Sequence, residues 1–204
     1  MKRNVARYMG LVACIAFAAC DTTELVMGEL SEVEAEELAG AMMLATFSST
    51  ENAQPAPAPG GPQMTPVEYT AEVDTDVQCP LGGAVAVMAD VVVNGDTDNP
   101  ALVVDYSMTQ VHDGCVVLSE NDREFTLWGA PSLTLDLLVA TDGVGVVEWE
   151  GSVVGAVAWV TDGREGTCEV ALEFGARREG SASFDAELAG VVCGFNVTRT
   201  LTVG

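Results

Sequence analysis

The sequence predicts a mainly β protein: about eight antiparallel, up-and-down strands that curl into a barrel or a strongly bent sandwich, with one short N-terminal helix. Two observations predict this class. Between residue 67 and the end of the chain, apolar and polar residues alternate over long runs, which is the period of half-buried strands. Short links rich in Gly, Asp and Asn separate these runs, and they leave no room for the helical crossovers that parallel strands need.

The strand-like runs follow one another closely. They cover roughly 67–77, 83–94, 101–112, 124–140, 144–161, 166–175, 181–190 and 193–203. Asp-Gly pairs at 142–143 and 162–163 indicate hairpin turns, because glycine tolerates the positive backbone angle of a tight turn. The longest runs must bend to fit a small domain, and Gly129, Gly151 and Gly155 permit a bend because they have no side chain. Bent sequential strands favour a barrel or a strongly curled sheet, and we place this β domain at 67–204.

The segment before the strands contains a predicted helix followed by a predicted linker. Ser31 with Glu34 three residues later is the capping-box pattern, and it predicts a helix over 31–47. One side of this helix is apolar, so we expect it to cover one end or face of the β domain; binding to a partner or to a membrane surface is the alternative. Residues 48–66 hold five prolines and predict an extended, semi-rigid linker.

The first residues have the pattern of a targeting segment. Three basic residues precede an apolar run over 8–19, which is too short to cross a bilayer as a helix and has the length of a signal-peptide core. The run ends in Phe17-Ala18-Ala19-Cys20, which resembles the lipobox of bacterial lipoprotein signal peptides, with Phe17 standing where leucine is usual. This resemblance covers only the first two dozen residues.

The resemblance implies a lipid-anchored protein. Residues 1–19 would be a signal peptide, Cys20 would become the acylated N-terminus, and 20–30 would form a lipidated tether. The membrane is then a partner through the anchor, and the domain lies on the bacterial cell envelope, facing the periplasm or the exterior. Secretion with cleavage but no lipidation is the alternative. In layout alone, the chain also resembles small envelope lipoproteins.

Four cysteines remain once the signal peptide and Cys20 are set aside, and an even number in an oxidising compartment predicts two disulfides. Cys79 and Cys115 each lie 18 residues from the centre of the loop at 94–99, and opposed positions of a hairpin favour their pairing.

The second disulfide follows from the same symmetry. Cys168 and Cys193 flank a turn near Glu179-Gly180, so we expect them to pair. None of the four cysteines has C-x-x-C spacing, and His112 is the only histidine, so the sequence predicts neither a metal site nor a cofactor.

The charge excludes one class of partner. The chain has 31 acidic residues against 8 basic ones, for a net charge of -23 at pH 7, and such a chain repels nucleic acids. After residue 19 the basic residues are all arginines: Arg123, Arg164, Arg177, Arg178 and Arg199. We expect the adjacent pair at 177–178 in a hairpin turn.

Catalytic groups are scarce. Without lysine after residue 19, and with His112 expected in a turn, the chain has no good candidate for a nucleophile and base pair. We therefore expect no catalytic residues and no enzyme activity.

Two functions remain. The first is a structural or protein-interaction role for an acidic β domain on a lipid anchor, with its protein partner unidentified. The alternative is a carrier of an apolar ligand or lipid inside a curled sheet, as in lipocalins, an analogy of fold only. Large side chains that point inward would fill the interior and exclude such a ligand. We expect filling by Trp128, Trp149, Trp159, Phe174, Phe184 and Phe195.

Overall fold

The computed structural model describes residues 25–52, 67–96, 99–143, 145–180 and 183–203. In this part of the chain lie one helix and a single sheet of ten strands. The elements are β1 (Val26–Met27), α1 (Glu32–Asn52), β2 (Val67–Gln78), β3 (Ala84–Asp96), β4 (Asn99–Asp113), β5 (Cys115–Leu118), β6 (Glu124–Thr141), β7 (Val146–Thr161), β8 (Arg164–Glu179), β9 (Phe184–Val192) and β10 (Phe195–Val203). The predicted class, mainly β and antiparallel with one N-terminal helix, is confirmed.

The eight long strands lie in the sheet in the order of the chain. Along the sheet they run β10-β9-β8-β7-β6-β4-β3-β2, each antiparallel to the next, with β2 and β10 at the two ends of the path. Two short strands were not predicted. β5 follows β4 after Gly114 and pairs with the first part of β6, and β1 pairs in parallel with β8.

The long strands are irregular at two of the glycines that the sequence singles out. The register between β6 and β7 shifts between Gly129 and Leu133. Gly155 pairs with Leu133 and has a φ of 148°, and a Cβ atom there would lie 2.3 Å from the carbonyl oxygen of Ser132. Only glycine permits this approach of the two backbones.

The predicted capping box forms at the start of α1. The backbone N–H of Ser31 donates to Oε2 of Glu34 over 2.9 Å, and the N–H of Glu34 donates to Oγ of Ser31 over 3.4 Å. Two of the otherwise unpaired amide groups are satisfied in this way. The helix continues to Asn52 rather than ending near residue 47, so residues 48–52, predicted as linker, are helical. The rest of the predicted linker, 53–66, lies outside the described residues.

The helix is a buried element of the domain. It packs on β10, β9 and β5, and Leu38, Met42 and Met43 are almost completely buried. The sequence indicates one apolar side, whereas in the structure Glu34 and Glu37 are buried as well. Among the described residues, no helix combines the length and apolarity needed to cross a membrane.

Arginines of the sheet hold the polar groups of the helix. Arg123 donates from Nε to Glu37 and from Nη1 to Glu34, each over 2.7 Å. Arg164 donates to Glu34 as well, and Arg199 donates to a backbone carbonyl of the helix over 3.0 Å. These hydrogen bonds replace the bonds to water that the carboxylates lose when they are buried.

The folded domain begins before the helix. The N–H of Val26 donates to the carbonyl of Gly163, and the N–H of Gly28 donates to the carbonyl of Glu165. Leu30 is buried with the core. The segment 25–30, which the sequence assigns to the tether, is therefore held on β8 by its backbone and reaches the core through Leu30.

Candidate functional site

The disulfides form in the expected pairing. Cys79 bonds to Cys115 with a Cα–Cα distance of 5.5 Å, and Cys168 bonds to Cys193 with a Cα–Cα distance of 4.6 Å. The first bridge ties the loop after β2 to β5, and the second ties β8 to the turn between β9 and β10. Cys20, the expected lipidation site, lies outside the described residues.

His112 is not a turn residue. It lies within β4, pairs in register with Val85 and is only 4% exposed. Burial lowers the pKa of its imidazole from 6.5 to about 4, because the charged form would lose its hydration. The expectation of a turn is wrong because β4 extends to Asp113, so that the side chain falls on the buried face.

Arg177 and Arg178 lie within β8 and point to opposite faces of the sheet, so the expected turn lies beyond them. Arg177 is exposed and forms ion pairs with Glu148 and Glu179. Arg178 lies over the stacked rings of Trp149 and Phe184, 5.2 and 5.9 Å from their centroids. Arg178 is thus the arginine that faces the apolar side.

The large aromatic side chains divide between the two faces. Trp159 and Phe174 are buried, and Trp149, Phe184 and Phe195 are half-buried against the core. Trp128 is 38% exposed and lies on the other face. Filling of the buried face by aromatic residues therefore holds for five of the six positions named from the sequence.

The exposed face of the sheet carries rows of acidic residues. Cross-strand pairing places one row in register across six strands: Glu72, Asp90, Ser107, Asp136, Ser152 and Glu173. Within it, Oγ of Ser107 donates to Asp136 over 3.0 Å. Neighbouring strands lie about 4.8 Å apart, so the four carboxylates of this row, with the two serines between them, form a line across the sheet.

A groove runs along this row and includes Asp90, Ser107, Asp136 and Ser152 in its walls, and we call it the acidic groove. It consists of two open cavities of about 440 and 470 Å³ that share Leu138 and Glu150 in their walls. Its charged lining is Asp90, Asp105, Asp136, Glu148, Glu150, Asp185, Glu187 and Arg177. Its apolar lining includes Val92 and Leu138. The groove thus combines carboxylates, one paired guanidinium and an apolar floor.

Gly175 widens the acidic groove between two carboxylates. It pairs with Glu150 of β7 on one side and with Glu187 of β9 on the other. A Cβ atom there would meet nothing closer than the carbonyl oxygen of Trp149 at 3.9 Å, so the position is open. The missing side chain leaves a gap between Glu150 and Glu187.

The acidic groove suits a ligand with several separated positive charges better than it suits a single metal ion. In the described residues, no three His, Cys, Asp or Glu side chains are grouped closely enough to hold a metal ion. Carboxylates in a line attract a ligand that carries several separated positive charges, and the apolar floor provides contact area. Sequence reasoning missed this site because Glu150 and Glu187 are brought together only by the pairing of β7, β8 and β9.

The chain matches no known protein family, no curated protein and no solved structure.

Proposed function

We propose that this protein is a lipoprotein of the bacterial envelope whose β domain binds a basic protein partner along the acidic groove and carries out no catalysis. The observation behind this proposal is the groove itself, where seven carboxylates accompany one arginine. That arginine, Arg177, is already paired with Glu148 and Glu179. A partner with lysine or arginine side chains would gain both affinity and association rate from this field.

Two features support the envelope location. Phe17-Ala18-Ala19-Cys20 resembles a lipobox, and acylation of Cys20 would hold the chain stably on a membrane. The four cysteines that follow Cys20 form two disulfides, as is usual for proteins outside the cytoplasm.

We also propose that the sheet curls around α1 into a strongly bent or barrel-like form. The helix contacts β9 and β10 on one side and β5 on the other, although β6, β7 and β8 lie between them in the sheet. Leu38, Met42 and Met43 would then occupy the interior that a carrier needs for its ligand. This packing supports the interaction role over the carrier role.

The carrier remains the second candidate because of one local feature. Trp149 and Phe184 stack with their ring centroids 4.8 Å apart and are half-buried, and Arg178 lies against both rings. An apolar ligand with an anionic group would suit this place. A lipid that copurifies with the chain and is lost on denaturation would support this second function.

The partner site is tested with a synthetic peptide that alternates lysine and valine, titrated against the protein at low salt. We expect Glu150→Gln with Glu187→Gln to weaken binding by several-fold. Glu169→Gln with Asp74→Asn is the matched control, because it removes the same charge from the same exposed face, outside both the lining of the groove and the acidic row. Equal binding by both double variants and the wild type would contradict a site in the groove.

The anchor is tested separately, by fractionation of bacterial cells that express the full chain. We expect the wild-type chain in the membrane fraction, released only by detergent. Cys20→Ala should abolish acylation of the chain. A wild-type N-terminal peptide without acyl mass would contradict the lipoprotein proposal and leave the groove experiment unaffected.

A further inference from the structure

The end of the domain at which β1 lies exposes apolar side chains on a folded strand. Leu25, Val26 and Met27 are 41%, 63% and 75% exposed, although Val26 and Met27 pair with β8. Their backbones are held in place by the bonds of Val26 and Gly28 to the turn and start of β8. The domain thus fixes the position of these side chains without burying them in its core.

Trp128 belongs to the same surface. Leu25, Met27 and Trp128 line one open groove of about 380 Å³, together with Thr167 and Glu165. Trp128 pairs in register with Ala158, which pairs with Thr167, so the indole lies on the exposed face beside the start of β8. We call Leu25, Met27 and Trp128 the apolar end. An indole with one exposed side is typical of side chains at a membrane–water interface.

The distance from the anchor decides what covers the apolar end. Cys20 precedes Leu25 by five residues. Five residues span at most roughly 17 Å when fully extended. Because Val26 is fixed on β8, an acylated Cys20 would keep Leu25, the first residue of the apolar end, within that distance of the bilayer surface.

We infer that the apolar end rests on the lipid bilayer, with Trp128 at the depth of the headgroups. This inference rests on the proposed acylation of Cys20 and adds an orientation to it. Glu165 lines the same groove, and the chain as a whole carries a net charge of -23 at pH 7, so anionic lipid repels the domain. Zwitterionic lipid therefore suits the contact, and anionic lipid weakens it.

The orientation also places the acidic groove for its partner. The groove is lined by the parts of β6, β7 and β8 that lie far from the turn at 162–163, whereas β1 lies beside that turn. A domain that rests on its apolar end would point the groove away from the lipid.

The test uses the full acylated chain in phosphatidylcholine vesicles, with and without bromine on the acyl chains. Bromine quenches tryptophan fluorescence only at short range, so the change in emission reports which indole meets the lipid. Trp159 lines the same groove, so all variants carry Trp159→Phe as a background. In this background we expect brominated vesicles to quench the protein that keeps Trp128 and Trp149, and also Trp149→Phe. Trp128→Phe should lose most of the quenching. Trp149→Phe is the control, because Trp149 pairs near the far end of β8.

A second pair of variants tests the strand side chains. Met27→Ser should reduce the quenching of Trp128, whereas Val154→Ser, which removes another exposed apolar side chain from the sheet, should leave it unchanged. Vesicles with phosphatidylglycerol should give weaker quenching than phosphatidylcholine alone.

The outcomes separate the two proposals. An acylated, vesicle-bound chain whose quenching survives in Trp128→Phe would overturn the orientation and leave the lipoprotein proposal intact. A chain without acyl mass at Cys20 would overturn the lipoprotein proposal, and the orientation with it.

Discussion

Glu34 of α1 and Arg164 of β8 form an ion pair of 2.5 Å that joins the helix to the sheet. Burial opposes the ionisation of Glu34, but hydrogen bonds from Arg164 and Ser31 outweigh it and lower the pKa of Glu34 from 4.5 to about 2. The two residues lie 130 positions apart in the sequence. The contact therefore links the N-terminal segment to the middle of the β domain.

Glu34→Gln should destabilise the protein. The amide keeps the size of the side chain but loses its charge, and Arg123 and Arg164 then lose a partner at a largely buried junction. Both arginines keep some exposure to solvent, so we expect a loss of about 2 kcal/mol in the free energy of unfolding. Urea unfolding at pH 7 measures this change. Glu169→Gln, on the exposed face of β8, is the control, and an equal loss in both variants would contradict the role of the junction.

The same ion pair predicts that the stability of the protein falls at acidic pH. The lowered pKa of Glu34 contributes stability that is fully present above pH 4.5 and is lost as the pH falls towards about 2. Glu34→Gln should remove this part of the acid dependence. Unfolding curves of the two proteins that converge between pH 4.5 and pH 2 are the expected result, and a constant separation would speak against it.

Burial of His112 should make the protein less stable at a less acidic pH than Glu34 does. Its pKa is about 4 in the folded protein and 6.5 as an ordinary value, so the unfolded chain binds the proton first as the pH falls. Stability is then lost between pH 6.5 and pH 4, by at most about 3 kcal/mol. His112→Gln, which does not titrate, should flatten the profile in this range. Parallel profiles of variant and wild type would show that His112 does not titrate on unfolding.

The disulfides should contribute strongly to stability. They close sequence separations of 36 and 25 residues. The chain-entropy estimate gives about 3 to 4 kcal/mol for each bridge. Thermal unfolding with and without a reductant measures the combined effect, and the double variants Cys79→Ser/Cys115→Ser and Cys168→Ser/Cys193→Ser measure each bridge. Unfolding curves that coincide with and without the reductant would contradict this contribution.

Gly155→Ala should be far more damaging than Gly175→Ala. The new Cβ atom at residue 155 would lie 2.3 Å from a backbone oxygen at a positive φ, whereas the one at residue 175 would have 3.9 Å of room. We expect a loss of several kcal/mol in the first variant and less than about 1 kcal/mol in the second. Chemical unfolding of both variants provides the comparison, and similar stabilities would mean that β6 and β7 adjust freely.

Local patterns in the sequence predict most of the sheet, because alternation and turn residues are local signals. The capping box at Ser31 and the hairpin symmetry of the cysteines are also read from residues close together in the sequence or from the spacing around one turn. β1 was missed because two residues give no period, and the burial of Glu34 was missed because its partners, Arg123 and Arg164, are distant in sequence.

The acidic groove was missed for a related reason. Glu150 and Glu187 look like ordinary exposed strand residues in the sequence. Only the pairing of both with Gly175 shows that they face one another across a gap. Charge alone predicts an acidic protein, and the register of the strands decides where the charge is concentrated.

Native mass spectrometry of the full chain, extracted by detergent from the bacterial envelope, tests the central claim most directly. We expect a polypeptide that begins at Cys20, with added acyl groups, four hydrogens fewer than the reduced chain and no other bound mass. A chain without acyl groups would contradict the anchor. A lipid-sized mass that is lost on denaturation would contradict the filled interior and make the protein a carrier.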